Sequence, residues 1–297
     1  MNINLSFFIP TTKHEYLERT ITSLLNQTNS NFNVMLLDNS ENENVVKIFE
    51  KIVGKDKRFK YEKTPIKLGI GDPTENWNYG LNLIDSDYFV LIGDDDTIAP
   101  NFVAEMFFII KKYPNCNIYR SKVATIDESD NITRLGIILP EFETWDEYMY
   151  YRNTYSRIQS TTEFCVRTKS LKAQGGYQPL PYAIGSDDIT YLRLMQSGPV
   201  ISTNKTTAYW RRHGRNLSML IPHKLREKSI SLLIGYELDI IDSNNTFSIP
   251  IELLKKSVLN QKKGHIYIRR QFFRLYRYRL IRPIINFLIK IGLIPPL

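Results

Sequence analysis

One apolar run that ends in three consecutive aspartates constrains the fold of this chain more than any other feature of its sequence. Residues 88–92 are apolar throughout, which is typical of a strand buried on both faces, as the central strands of parallel sheets are. Gly93 and the aspartates at 94–96 follow directly, and Pro100 fits the first turn of a helix. Because open α/β sheets bind ligands at the carboxyl ends of their parallel strands, the aspartates lie where a ligand is expected.

The three aspartates favour one of two interpretations. Adjacent carboxylates repel one another unless water or a cation compensates their charge. A hard divalent cation takes one or two carboxylates and completes its coordination with water and substrate phosphates. The alternative is a solvated acidic turn that opens a helix, and this stretch alone does not distinguish the two.

Predicted strands alternate with predicted helices on both sides of this run. Up to the aspartates, the strands are predicted at 3–9, 33–38, 59–61 and 88–92, and the helices at 17–28, 45–52 and 76–83. Beyond them we predict a hairpin (117–126 with 131–139), a helix at 144–155, strands at 161–166 and 206–213, a helix opened by residues 186–188, and a helical remainder from Pro222. This alternation predicts an α/β fold, a three-layer sandwich around a mainly parallel sheet.

Composition places the chain among globular proteins, with 42% hydrophobic and 24% charged residues. The two cysteines and the lack of a Cys/His cluster at zinc spacing argue against a disulfide framework and are compatible with a reducing cytoplasm. The first residues carry no basic region and lead straight into an apolar strand, so we predict no signal peptide and a cytoplasmic protein.

The positive charge is concentrated at the carboxyl end. Eleven of the 39 Lys and Arg residues, and no Asp or Glu, lie in residues 253–297. Residues 1–252 therefore hold 28 basic and 31 acidic residues, a net charge of −3 within a chain whose total is +8. The body of the protein is mildly acidic, and the tail carries the whole positive excess.

The tail itself is both basic and apolar. In residues 266–291, aromatic and aliphatic residues recur every three or four positions between arginines, and Pro283 predicts a break between two helices. The apolar stretch 283–297 is shorter than the roughly 20 residues that span a bilayer. This pattern favours binding to an anionic membrane surface. A basic face packed on the rest of the protein and RNA binding are the alternatives, but no nucleic-acid motif accompanies the tail.

Several short motifs follow one another along the chain. They are Pro10-Thr11, residues 24–28, residues 36–40, residues 76–81, Gly93 to Asp96 with Pro100, Gly175-Gly176-Tyr177, Asp187 with Arg193, and Arg211-Arg212-His213. In this order and at these distances, they resemble the motifs of the family 2 glycosyltransferases of bacterial polysaccharide type. The resemblance covers about three quarters of the chain and implies a GT-A (Rossmann-like) domain over residues 1–222. Residues 223–297 would then be a helical, basic C-terminal extension that associates with the membrane.

The resemblance also implies a donor site and a metal site. The metal would be Mn²⁺ or Mg²⁺, and Gly93 stands where many relatives have another acid, so the acid that binds the metal stays open. The residues implied to bind the nucleotide-sugar donor are Pro10, Thr11, Asp38, Asn78 and Asp94. Those implied to bind the metal are Asp95, Asp96 and His213.

Asp187 corresponds to the general base of the family. Inverting sugar transfer needs a carboxylate that accepts the proton of the acceptor hydroxyl, and the neighbouring Asp188 should raise the pKa of one of the pair. The family usually has Glu where this chain has Ser186, which we expect to cap the helix. The alternative for both aspartates is a structural one, since acids stabilise helix N-termini.

These features predict a metal-dependent, inverting glycosyltransferase of surface polysaccharide synthesis. It would move a sugar from a nucleotide-sugar donor to a glycan or lipid-linked glycan acceptor, as a peripheral protein on the inner face of the cell membrane. We expect no nucleic-acid partner. A glycoside hydrolase that uses Asp187 with another acid and a non-catalytic sugar- or nucleotide-binding protein that retains the fold are the alternatives.

Overall fold

The computed structural model describes residues 3–64, 68–69 and 72–261. Its strands are β1 (Leu5–Thr11), β2 (Asn33–Asp38), β3 (Phe59–Lys63), β4 (Tyr88–Leu91), β5 (Thr97–Ile98), β6 (Ile118–Ile126), β7 (Ile132–Leu135), β8 (Phe142–Glu143), β9 (Phe164–Arg167) and β10 (Val200–Arg211). Its helices are α1 (Leu17–Leu25), α2 (Asn44–Val53), α3 (Pro73–Asn82), α4 (Phe102–Lys112), α5 (Trp145–Asn153), α6 (Thr168–Ala173), α7 (Ser186–Met195), α8 (Leu217–Leu220) and α9 (His223–Asp242). Residues 251–261 are also helical.

The strands form one sheet in the order β3-β2-β1-β4-β9-β6-β10-β5, with β7 paired to β6 and β8 to β10. Strands β3, β2, β1 and β4 pair in parallel, as do β6 and β10. Strand β9 lies antiparallel between β4 and β6, and the short strands β5, β7 and β8 also pair antiparallel. The predicted α/β fold around a mainly parallel sheet is confirmed.

Helices cover both faces of the sheet because successive side chains of a strand point to opposite faces. Phe7 of β1 belongs to a buried cluster with apolar residues of α1, α2 and α4. The adjacent Phe8 belongs to a second cluster with apolar residues of α3, α5, α7 and α9. Both rings are fully buried. The two clusters are the two cores of a three-layer sandwich, as the sequence predicts.

Two local predictions were wrong. The predicted strand at 161–166 begins as a 3-10 turn over Thr161–Glu163, in which Ser160 and Glu163 form a capping box, and only Phe164–Arg167 is extended. Ser186 does not cap α7. Gly185 occupies the cap position with a φ of 79°, and the Ser186 hydroxyl instead accepts the backbone N–H of Leu180 at 3.1 Å.

The C-terminal helices pack on the body of the protein. Helix α9 begins directly after Pro222, as predicted, and its Leu233 and Ile241 share the buried cluster that contains Phe8. Leu254 and Val258 of the helical segment 251–261 are fully buried in the same cluster. Because this cluster contains residues from both sides of residue 222, the packing does not test the predicted domain boundary there, which remains a prediction. The predicted tail helices beyond residue 261 lie outside the described residues. Within the described ranges, no helix combines the length and apolar character needed to cross a bilayer.

Candidate active site

The candidate site lies where three parallel strands end. Thr11 at the end of β1 pairs with Asp38 at the end of β2, and β1 also pairs in parallel with β4, which leads into Gly93 and the aspartates. The predicted donor-binding and metal-binding acids therefore meet at one edge of the sheet, as the strand order requires.

A pocket at this edge contains Asp95 and His213 together. Its other lining residues are Lys13, Glu15, Tyr16, Asp94 and Arg215. The Nε2 atom of His213 lies 2.9 Å from Oδ2 of Asp95, and the side-chain amide of Asn216 donates to the same oxygen at 3.0 Å. The structure thus brings two of the three predicted metal ligands side by side.

The predicted metal ligand Asp96 has a different environment. It is 3% exposed and is not among the residues that line this pocket. Its carboxylate accepts the hydroxyls of Thr162 at 2.6 Å and Ser160 at 3.2 Å, and the backbone N–H of Arg211 at 3.0 Å. Burial raises the pKa of Asp96 to about 7, and the charge of Asp95 adds to the rise. Through these hydrogen bonds Asp96 connects the end of β4 with the 3-10 turn and with β10. Because both of its carboxylate oxygens are engaged in this way, the geometry favours Asp95 over Asp96 as a metal ligand.

Asp94 orders the loop that follows β1. Its Oδ2 atom accepts the backbone N–H groups of Thr12 and Lys13, both at 3.2 Å. Burial raises the pKa of Asp94 to about 7, with a further contribution from Asp95. Asp94 lines the same pocket as Asp95, so its predicted contact with the donor is compatible with its position.

A metal ion in this pocket would have few protein ligands. Within residues 3–64, 68–69 and 72–261, no three His, Cys, Asp or Glu side chains are grouped closely enough to hold a metal. Mg²⁺ is commonly held by one or two carboxylates plus substrate phosphates and water, and carboxylate is also a preferred ligand of Mn²⁺. Asp95 with His213 therefore suits an ion whose coordination a diphosphate completes.

Two predicted donor-binding residues have their polar atoms engaged within the protein. The buried carboxylate of Asp38 accepts the Ser40 N–H at 2.8 Å, the Tyr61 hydroxyl at 2.7 Å and the Lys63 ammonium at 2.9 Å. Burial acts to raise the pKa of Asp38, but these hydrogen bonds outweigh it and the pKa is lowered. The amide of Asn78 bonds both backbone polar groups of Tyr177, at 3.0 and 2.7 Å.

The remaining predicted donor residues lie at the end of β1. Pro10 is partly exposed and Thr11 is fully buried, with its hydroxyl directed to the carbonyl of Ile9 at 3.3 Å. Contact of Pro10, Thr11, Asp38 and Asn78 with a donor remains a prediction. In this structure, Asp38 and Asn78 instead hold the strand end and the turn at 176–177 in place.

The next residue of the predicted site is Asp187, the predicted general base. It lies in the first turn of α7 and is partly exposed. Burial raises its pKa to about 7, the charge of Asp188 adds to the rise, and Arg152 opposes it. The other acids near it, Asp188 and Glu163, are 2% and 1% exposed. These two interacting carboxylates are therefore both buried, whereas a glycoside hydrolase needs a second carboxylate that reaches the substrate.

Sequence reasoning missed several charged residues of this region. Lys13 and Arg215 line the pocket, where the Lys13 ammonium donates to the Arg215 carbonyl and the Arg215 guanidinium pairs with Glu15. Arg152 and Gln159 bond the carboxylate of Asp188. Arg215 lies two residues beyond the basic motif that ends at His213, and this was the one signal in the sequence that pointed to it.

Comparison with solved structures supports the fold. A crystal structure of Staphylococcus aureus TarS residues 1–349 in complex with UDP-GlcNAc matches with a TM-score of 0.68 at 16% identity, covering 87% of this chain and 72% of that one. The same protein in complex with UDP matches with a TM-score of 0.64 at 15% identity, covering 87% and 71%. At such identities the similarity shows a shared fold, and the predicted GT-A fold is confirmed.

Comparison with curated sequences gives glycosyltransferases. An uncharacterized glycosyltransferase of Haemophilus influenzae is 29% identical over 132 residues, 41% of this chain and 52% of the relative. One of Methanocaldococcus jannaschii is 29% identical over 121 residues, 40% of this chain and 41% of the relative. The chain thus matches about half the length of these two relatives. A second Haemophilus influenzae glycosyltransferase is 20% identical over 258 residues, 79% of this chain and 76% of the relative.

The family model decides the classification. The model described as "Glycosyl transferase family 2" matches residues 6–173, which run from β1 through α6 and include the three aspartates. Asp187 and His213 lie beyond the matched residues, so the family model does not include them. Their positions, in α7 and just after β10, come from the structure. The family inferred from the motifs is confirmed: the chain belongs to glycosyl transferase family 2.

Proposed function

We propose that this chain is an inverting, metal-dependent glycosyltransferase that moves a sugar from a nucleotide-sugar donor to a glycan or lipid-linked glycan acceptor. The observation that carries the proposal is Asp187, a partly exposed carboxylate in the first turn of α7 of a family 2 fold, whose pKa is raised to about 7 by burial and by Asp188. A general base is most effective when its pKa lies near the working pH.

The reaction follows from one proton transfer and one displacement. The carboxylate of Asp187 accepts the proton of the acceptor hydroxyl while that oxygen attacks the anomeric carbon of the donor sugar. The bond from the anomeric carbon to the nucleoside diphosphate breaks from the opposite side, so the configuration inverts. Asp187 must be ionised to act, and activity should therefore rise with pH through about 7.

The pocket beside the aspartates suits the leaving diphosphate. Lys13 and Arg215 line it and supply positive charge, and charged donors make the stronger hydrogen bonds to phosphate. Asp95 and His213 would hold Mn²⁺ or Mg²⁺, which supplies further neutralisation of the diphosphate when bound. The solved TarS structures with UDP-GlcNAc and UDP support a uridine nucleotide as the first donor to test.

The tail gives the proposed location. Nine Lys or Arg residues lie beyond residue 261, and each basic residue near an anionic surface contributes about 1 kcal/mol of attraction. We therefore place the enzyme peripherally at the inner face of the membrane in surface polysaccharide synthesis, where lipid-linked acceptors are presented.

Thermal denaturation with nucleotide sugars tests the donor and the metal together. UDP-N-acetylglucosamine, UDP-glucose, GDP-mannose and dTDP-rhamnose are each added with Mn²⁺, with Mg²⁺ or with excess chelator. A ligand at 100 times its Kd stabilises the folded state by about 2.7 kcal/mol, so at least one donor should raise the Tm by several degrees with metal and less with chelator. Equal Tm values in all mixtures would contradict the proposal. Stabilisation without any donor-dependent release of nucleoside diphosphate would favour the non-catalytic binding protein.

A further inference from the structure

An ion pair between α5 and α7 lies directly beside the proposed base. Arg152 donates from Nε to Oδ1 of Asp188 at 2.8 Å and from Nη2 to Oδ2 at 2.7 Å. The side-chain amide of Gln159 donates to Oδ1 at 2.7 Å. Asp188 is 2% exposed, so three hydrogen bonds from two separate segments fix the orientation of a buried carboxylate.

The pair separates two adjacent carboxylates that would otherwise compete for one proton. Consecutive residues of a helix project about 100° apart, and Asp188 is turned towards α5 while Asp187 remains partly exposed. Two interacting carboxylates without a fixed partner titrate as a pair, and their single charge is shared between them. Arg152 gives Asp188 such a fixed partner, through two hydrogen bonds and an opposite charge.

We propose that Arg152 and Gln159 are positioning residues of this site, which hold the carboxylate of Asp188 turned towards α5 and away from the acceptor, so that Asp187 alone takes the acceptor proton. The proposal rests on the function proposed above for Asp187. The new inference goes beyond that function because it gives the reason why Asp187, and not Asp188, is the base. That reason is the bidentate contact of Asp188 with Arg152 of α5, a residue that belongs to none of the family motifs in this sequence.

The charged and titratable groups around Asp187 define what the test should find. They are Tyr148 and Arg152 of α5, Glu163 of the 3-10 turn, Tyr177, and Asp188 and Tyr191 of α7. Of these, Asp188 raises the pKa of Asp187 and Arg152 lowers it. Glu237 of α9 also interacts with both charges of the ion pair, and its carboxylate accepts hydrogen bonds from Asn153 and Gln261.

The pH dependence of kcat for nucleoside diphosphate release, with the donor of the panel above that gives turnover, separates positioning from structure. Below its optimum, the profile of kcat against pH should fall as the base gains its proton, and this fall is the acidic limb. Asp188→Asn removes the negative neighbour of the base and should move the acidic limb to lower pH by about 1 unit. Arg152→Gln leaves two carboxylates that share a charge, so kcat should fall about tenfold and the acidic limb should become two steps. The Kd of the donor should stay unchanged in both variants.

The double variant Arg152→Gln with Asp188→Asn supplies the rescue. It again leaves one titrating carboxylate, so it should recover most of the kcat lost in Arg152→Gln and return a single-step limb. Arg152→Lys keeps the charge without the planar fork and should give a kcat between those of wild type and Arg152→Gln. If Arg152→Gln does not fold, Asp188→Asn and the double variant, which buries no unpaired charge, decide the question.

Arg157→Gln is the matched control. Arg157 forms a buried ion pair with Glu143, so its replacement should lower the Tm while the acidic limb stays at the wild-type pH. A single-step limb at the wild-type pH in Asp188→Asn, or a double variant no more active than Arg152→Gln, would overturn the proposal while leaving Asp187 as the base. A wild-type protein that releases no nucleoside diphosphate from any donor would contradict the proposed function itself.

Discussion

Asp95 and Asp96 are neighbours in the sequence with opposite environments. Asp95 lines a pocket with His213, whereas Asp96 is buried under two hydroxyls and a backbone N–H. The sequence places the acids at the end of a central strand, but it does not show which way each one points in an irregular turn. That orientation depends on Ser160 and Thr162, which lie more than sixty residues away along the chain.

Substitutions at these two aspartates should therefore have different effects. Asp95→Asn and His213→Ala should each abolish the additional stabilisation of the donor complex by Mn²⁺, because they remove the proposed metal ligands. Asp96→Asn should keep that metal dependence but lower the stability of the free protein by about 1–3 kcal/mol, because it disrupts buried hydrogen bonds. Thermal denaturation of each variant, with and without donor and Mn²⁺, separates the two effects. Loss of metal dependence in Asp96→Asn at an unchanged Tm would make Asp96 the ligand.

The charged partners of the site were beyond sequence reasoning for a similar reason. The sequence predicts Asp187 as the base from its motif, but it does not reveal the contact between Arg152 and Asp188, which lie 36 positions apart. Lys13 and Arg215 are separated by 202 positions. Such pairs form only once the sheet and its helices are packed, so no local sequence pattern predicts them.

Elements with a clear apolar run or a clear boundary residue were predicted well. The predicted strand at 33–38 coincides with β2, and the helix expected after Pro222 begins at His223. The strand at 161–166 failed because Ser160 and Glu163 cap a 3-10 turn, which competes with an extended backbone of the same composition. Capping by local side chains therefore overrode the β propensity of Thr161 and Thr162.

Two helical glycines give a matched test of helix packing. A Cβ atom on Gly80 of α3 would lie 2.0 Å from the ring of Phe8, whereas on Gly235 of α9 it would meet nothing within 4 Å. Gly80→Ala should therefore destabilise the protein by about 1–3 kcal/mol through overpacking. Gly235→Ala should stabilise it by about 1 kcal/mol through helix propensity. Chemical denaturation measures both changes, and a stabilised Gly80→Ala would show that α3 does not pack on β1 as described.

At the scale of the whole molecule, charge and packing divide the C-terminal region at different residues. The positive excess begins near residue 253, but Leu254 and Val258 are fully buried in the core beneath α9. Burying one such aliphatic side chain contributes about 1.5–3 kcal/mol. A truncation meant to remove the membrane-binding segment should therefore follow Gln261, since one at residue 250 also removes part of the core.

A chain ending at Gln261 should keep the Tm of the full chain and lose binding to anionic vesicles. Co-sedimentation with phosphatidylglycerol vesicles measures the binding, and phosphatidylcholine vesicles provide the uncharged control. Binding of the full chain should weaken with added salt but not vanish, because salt screens the charges and leaves the apolar contribution. Equal sedimentation of both chains would exclude the tail as the membrane contact, and a lower Tm of the shorter chain would favour a tail packed on the body.

The most direct test of the central claim is the rate of nucleoside diphosphate release by wild type and Asp187→Asn, each with its donor Kd measured on the same sample. Wild type should release nucleoside diphosphate from at least one nucleotide sugar, with a rate that falls below pH 7 as Asp187 gains its proton. Asp187→Asn should lose about a hundredfold to ten-thousandfold in rate, the usual contribution of a general base, while binding the donor as wild type does. Release at the wild-type rate by Asp187→Asn would contradict the account.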